Sequence, residues 1–152
     1  MKTKIIEIGG SKYQLRKMTP AAGSFIYFKM IGAVLNQVNE ATVADTAKAR
    51  ESSAKMTPEE KARALVVSTF MRGLDYQHVE FAQRHAMMAT SRVVDTGGAE
   101  AIIPVMTDDG RWVQPGPGEP DLQDEPDVVQ QITTEALVYS IASFFGAGST
   151  RR

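Results

Sequence analysis

Hydrophobic and polar residues alternate with a period of two near the start of the chain. Ile6 and Ile8 fall on one side of this pattern, and Tyr13 and Leu15 share one side of the next run. Gly9-Gly10 between the runs suits a tight turn that needs positive φ. The pattern predicts a β-hairpin, and we expect its free strand edge, marked by Tyr13 and Leu15, to pair with a neighbouring copy of the chain.

An apolar helix follows the predicted hairpin directly. Thr19 can cap it and Pro20 suits its first position. Its apolar residues, among them Phe25, Phe28 and Met30, cover more than one face. A helix of this kind either lies at the centre of a core or contacts a partner.

Two further helices are predicted by their start signals. Thr57 with Glu60 fits a capping box around Pro58, and Asp75 can cap the next helix. Residues 39–55 before them are rich in alanine and polar residues, so we interpret that segment as a weak helix or a mobile connector.

The last third of the chain combines strand, loop and helix signals. A Thr-Asp-Asp-Gly turn predicts a second hairpin over residues 101–114. Prolines and glycines make 115–126 an exposed acidic loop. An apolar helix is predicted over 127–145, with Gly146 placed to stop it and 147–152 as a flexible tail.

These elements predict the α+β class: a mainly helical single domain of about four helices with two small antiparallel hairpins. The chain of 152 residues is 43% hydrophobic and 23% charged, which is enough apolar material for one core. The predicted domain spans residues 1–146, with the hairpins at 4–16 and 101–114, a helical body at 20–90, the loop at 115–126 and the last helix at 127–145.

Charge and composition exclude several classes of function. The net charge is −1, so the balance does not indicate nucleic acid or an anionic membrane surface as a partner. The charge is nevertheless polarised: residues 1–18 carry five basic side chains and one acidic one, whereas 100–127 hold eight carboxylates and one arginine. The chain contains no cysteine and no apolar run long enough to span a bilayer.

Catalytic and metal-binding patterns are weak, and we expect no catalytic residue, no metal and no cofactor. His78 and His85 are seven residues apart, whereas zinc-binding pairs on a helix are usually four apart. Asp75, His78 and Glu80 resemble an acid–base cluster, although capping already explains Asp75. A small enzyme using that cluster stays open as an alternative.

Flexible and aromatic side chains are concentrated on the predicted helices. The chain has eight methionines and six phenylalanines, including Phe144-Phe145. Consecutive residues on a helix point about 100° apart, so both members of a pair cannot face one core. These residues either fill gaps in the core or form an adaptable interaction surface.

The order of these motifs resembles that of tail assembly chaperones of long-tailed bacteriophages. The resemblance rests on the stretch Gly9–Pro20 (GGSKYQLRKMTP) and the apolar helix after it. It rests also on a hairpin carrying Trp112, an acidic loop, and a last helix that finishes in Ser143–Gly146 (SFFG).

The resemblance implies a role in assembly rather than catalysis. Such a chaperone binds the tape measure protein and tail tube subunits in the host cell cytoplasm, self-associates, and is absent from the mature virion. We expect a client-binding groove between the first and last helices, formed by Phe25, Phe28, Met30, Phe144 and Phe145. The alternative is a structural tail-completion or head–tail joining protein that stays in the virion.

Overall fold

A computed structural model describes residues 2–38, 55–71 and 74–150, and the side chains of 2–33, 55–69 and 74–146. The predicted connector at 39–55 falls almost wholly outside the described residues. The strands and helices, in chain order, are β1 (Thr3–Ile8), β2 (Ser11–Arg16), α1 (Pro20–Val38), α2 (Pro58–Met71), α3 (Tyr76–Met88), β3 (Thr90–Asp95), β4 (Glu100–Pro104), a 3₁₀ turn (Leu122–Asp124) and α4 (Pro126–Thr150).

The strands form one antiparallel sheet in the order β1-β2-β3-β4. The α+β class is therefore confirmed, but the hairpins are joined into a single four-stranded sheet because β2 pairs with β3. The first hairpin turns at Gly9 and Gly10, whose φ values of 59° and 83° are the left-handed values that glycine adopts without strain.

The second hairpin differs from the predicted one over residues 101–114. β4 pairs backwards with β3, and the Val105 N–H continues that ladder by donating to the Thr90 carbonyl at 3.1 Å. The predicted pairing across the Thr-Asp-Asp-Gly turn is reduced to one bridge between Met106 and Trp112. The turn was recognised correctly, but β4 forms its ladder with β3, and only the residues next to the turn pair across it.

Helix starts follow the predicted chemistry at two of three positions. The Ala22 N–H donates to Thr19 Oγ1 at 3.3 Å. Thr57 and Glu60 exchange two bonds of 3.1 Å, and hydrogen bonding to the Thr57 N–H and then to the Thr57 hydroxyl lowers the pKa of the Glu60 carboxyl. Asp75 precedes α3 but makes no side-chain capping bond, so its capping role was predicted wrongly.

The acidic loop at 115–126 is more structured than its composition predicts. It contains the 3₁₀ turn, and Leu122 within that turn is 1% exposed. Arg92 on β3 fastens the loop by donating to the Pro120 carbonyl at 2.7 Å. The last helix then begins at Pro126 and continues past Gly146 to Thr150, which corrects the predicted stop.

The core lies between the helices and one face of the sheet. Tyr13 and Leu15 supply this face, and Met30, Met87 and Leu137 come from three helices. α4 runs through the middle, packing against α2 and α3 and against the first two strands. Alternation along β2 therefore buries every second side chain, as the sequence pattern predicts.

Candidate functional site

The first helix has a buried side and an exposed aromatic side. Ala22, Ile26 and Met30 follow a spacing of four and are all buried. Phe28 lies two residues after Ile26, which places it about 200° round the helix axis. It consequently points away from the core and is 67% exposed.

Four aromatic side chains from α1 and α4 form a cluster that we call the aromatic end: Tyr27, Phe28, Phe144 and Phe145. The Tyr27 and Phe144 rings stack, with centroids 4.4 Å apart and planes 7° apart. Phe28 and Phe145 each meet the Tyr27 ring edge-on at 5.8 Å. The structure thus brings together three of the five predicted client-binding residues, around a tyrosine that was not among them.

Phe25 belongs to a different contact on the other flank of α1. Its ring lies 4.8 Å from Phe81 and 5.9 Å from His78, and the Lys29 Nζ is 5.4 Å from its centroid. Phe25 is 40% exposed, so it extends the aromatic surface towards α3. Behind Phe81, burial lowers the pKa of the His85 imidazole.

Met30 cannot contribute to a surface groove as it was predicted to. Its side chain is 0% exposed because it continues the buried spacing of Ala22 and Ile26. Other methionines behave likewise: Met18, Met87 and Met106 are all buried. These four methionines therefore fill the core, and the large apolar side chains that are exposed among the described residues are aromatic or aliphatic.

Tyr13 and Leu15 do not form a free strand edge. They are 1% and 0% exposed, and β2 is paired on both sides, with β1 and with β3. The prediction assumed an isolated hairpin, in which β2 would have kept one side free. Among the strands that the structure describes, the outer ones are β1 and β4.

The proposed acid–base cluster is a surface arrangement at the start of α3. The Asp75 carboxylate lies 3.9 Å from His78 Nδ1, and its side chain is 81% exposed. His78 instead packs its ring edge-on against Phe25. Within the described residues, no group of three or more His, Asp or Glu side chains is arranged to hold a metal ion.

Tyr27 is the functional candidate that sequence reasoning missed. It lies beside Phe28 in the chain, but its ring is half-buried against two residues of a distant helix. Its only sequence signal was its place on the flank of an apolar helix. Nothing in that signal identifies Phe144 as the stacking partner.

Comparisons with known proteins give no relative for this chain. No family model, no curated protein and no solved structure matches it. Within the helices that the structure describes, none is both long and apolar enough to cross a membrane.

Proposed function

We propose that this protein is a tail assembly chaperone of a long-tailed bacteriophage. It binds the tape measure protein and tail tube subunits in the host cell cytoplasm, and it leaves before the virion is complete. The observation that supports this proposal most is the aromatic end, where Phe28 and Phe144 remain 67% and 39% exposed beside a stacked tyrosine.

An exposed aromatic cluster suits a client that is a long apolar helix. Aromatic rings contribute large contact areas and accept varied apolar neighbours, and apolar surface left uncovered marks interaction sites. The tape measure protein, as the resemblance implies, offers many similar apolar stripes along one chain. Several weak contacts of this kind hold the client and still release it.

Release also requires that each contact stay weak. Phe28 and Phe144 are each exposed over only part of their surface, so a bound helix would cover them on one side only. Self-association of the chaperone along its client would then supply the affinity that a single copy lacks.

Co-purification tests the assignment of the aromatic end. The chain is co-expressed with a tape measure protein, the client that the proposal requires, and the double variant Phe28→Ser/Phe144→Ser is compared with wild type. We expect the variant to retain its circular dichroism spectrum and to lose most of the co-purified client. The matched control is Tyr76→Ser, which removes another aromatic ring, 78% exposed and outside the cluster.

Two results would contradict the proposal. The double variant would recover as much client as Tyr76→Ser if the aromatic end does not bind it. Mass spectrometry of purified virions would detect the chain in stoichiometric amounts if it were instead a tail-completion or head–tail joining protein.

A further inference from the structure

The two outer strands of the sheet differ in their capacity to accept another strand. The Arg16 N–H donates to the Ala89 carbonyl at 3.0 Å, away from β1. Bonded and non-bonded pairs alternate in an antiparallel ladder, so β2 positions 12, 14 and 16 all bond towards β3 and form non-bonded pairs with β1. The β1 residues opposite these positions therefore direct their N–H and C=O groups outwards. These residues are Thr3, Ile5 and Glu7.

β4 is protected against pairing by its sequence. The Val105 N–H bonds to β3, so alternation turns the backbone of Glu100, Ile102 and Pro104 outwards. Pro104 has no N–H to donate, and proline on an outer strand is a known protection against edge-to-edge association. β1 has six residues and neither proline nor glycine, so each of its outward residues carries both an N–H donor and a C=O acceptor.

A groove accompanies the β1 edge on the side of the helices. It has a volume of about 560 Å³ and lies between Ile6 and Ile8 of β1, Arg63 of α2 and Thr134 and Glu135 of α4. A strand bonded to β1 would direct every second side chain into this space. The β1 edge therefore offers hydrogen-bond partners to the backbone of an added strand and space to its side chains.

We propose that the added strand is β1 of a second copy, paired antiparallel about a two-fold axis at Ile5. The outward residues Thr3, Ile5 and Glu7 are centred on Ile5, so this register bonds Thr3 to Glu7 of the second copy and Ile5 to its counterpart. Every outward N–H and C=O of β1 is then used. Shifting the register by two residues in either direction leaves some of them without a partner.

The side chains of β1 complement themselves in this register. On the face away from the helices, Ile5, which is 51% exposed, meets Ile5 of the second copy. The Thr3 hydroxyl faces the Glu7 carboxylate of the second copy, a pair that can hydrogen bond. On the other face, Lys4 and Ile6 of the second copy enter the groove. A two-fold contact of this type closes on itself and produces a dimer.

The experiment compares the same substitution at the two outer strands. Ile5→Pro removes an N–H that points away from β2, so the hydrogen bonds within one copy are kept. Ile102→Pro removes the equivalent outward N–H of β4. We expect light scattering over a concentration series to show a dimer for wild type and Ile102→Pro, and a dissociation constant raised by about tenfold or more for Ile5→Pro.

Cross-linking tests the register. The chain has no cysteine, so Ile5→Cys introduces the only thiol. Directly opposed bonded residues have Cα atoms about 5.5 Å apart, within the range of a disulfide. We expect oxidation to yield a covalent dimer for Ile5→Cys and little for Thr3→Cys, which lies on the same edge away from the axis.

A monomeric wild type at all concentrations would overturn the proposal, as would equal cross-linking of Ile5→Cys and Thr3→Cys. If β1 pairs instead with a strand of a different protein, Ile5→Pro will weaken binding to that protein and leave the purified chain unchanged. That result would also overturn the proposed pairing of two copies. These measurements use the purified chain without a client. Their failure therefore leaves the proposed binding by the aromatic end in place.

Discussion

Beneath the sheet, Leu137 and Ile141 of α4 are completely buried, whereas Phe144, one turn further along the same helix, is 39% exposed. Length explains the difference. A helix of 25 residues is about 37 Å long, and six-residue strands span about 20 Å. The sheet therefore covers only part of α4, and the aromatic end lies where the helix has passed it. A surface for another chain can arise in this way without any special element.

The largest expected effect is on the buried side of this comparison. The Leu137 side chain is 0% exposed, so Leu137→Ala leaves a cavity in the core. We expect the substitution to lower the free energy of unfolding by about 2–5 kcal/mol. Denaturant unfolding measures this loss. An unchanged slope of the free energy against denaturant concentration would show that wild type and variant unfold alike. A loss below about 1 kcal/mol would show that the centre is less tightly packed than the structure indicates.

A smaller effect is expected where α2 begins. Pro58, its first residue, lies beside Gly146: a Cβ atom added to this glycine would be 3.2 Å from the Pro58 ring. Thr57→Ala removes one bond of the capping box, and we expect it to lower the free energy of unfolding by about 1 kcal/mol.

Thr57→Ser is the control for that measurement, since it keeps the capping hydroxyl. It should retain most of the stability. Equal losses for the two variants would mean that the threonine methyl group, and not the cap, stabilises the start of α2.

Local signals account for the parts of the fold that could be predicted. The Gly9-Gly10 hairpin and the caps at Thr19 and Thr57 depend on neighbours in the chain, and all three formed. The last hairpin was misplaced because strand pairing is a choice among several partners. Leu122 was missed because composition describes a loop as a whole and not the one side chain that anchors it.

The candidate site could be predicted only in part for the same reason. Phe28 and Phe144 stood out as apolar residues on helices, but hydropathy could not separate them from Met30, which is buried. Their exposure depends on helix phase and on where the sheet ends. The stack between Tyr27 and Phe144 joins the first and last helices, and no local pattern encodes it.

His85 lies between the core and the exposed flank of α1 at Phe25: its ring is 4.2 Å from Phe81, which in turn contacts Phe25. Burial lowers its pKa below the ordinary 6.5, and the neighbouring Arg84 acts in the same direction. The unfolded chain therefore binds a proton that the folded chain does not, in the window just below pH 6.5. Stability should rise with pH through this window and become level above it.

The measurement is the free energy of unfolding between about pH 5 and pH 8 for wild type and His85→Gln. At the upper end, where the imidazole is neutral in both states, the comparison gives the packing cost of the substitution alone. Below pH 6.5 we expect wild type to lose more stability than the variant. If the free energies of unfolding of wild type and variant change with pH in parallel, the His85 imidazole is solvated in the folded chain and does not belong to the core.

The smallest effect on stability is expected at the aromatic end itself. Phe28 is 67% exposed, so folding removes little of its ring from water and Phe28→Ser should change the free energy of unfolding by no more than about 0.5 kcal/mol. The same denaturant series that measures Leu137→Ala serves for this variant. A loss above about 2 kcal/mol would mean that the ring is covered in the free protein. The aromatic end would then be part of the core, and a client would have no apolar surface there to bind.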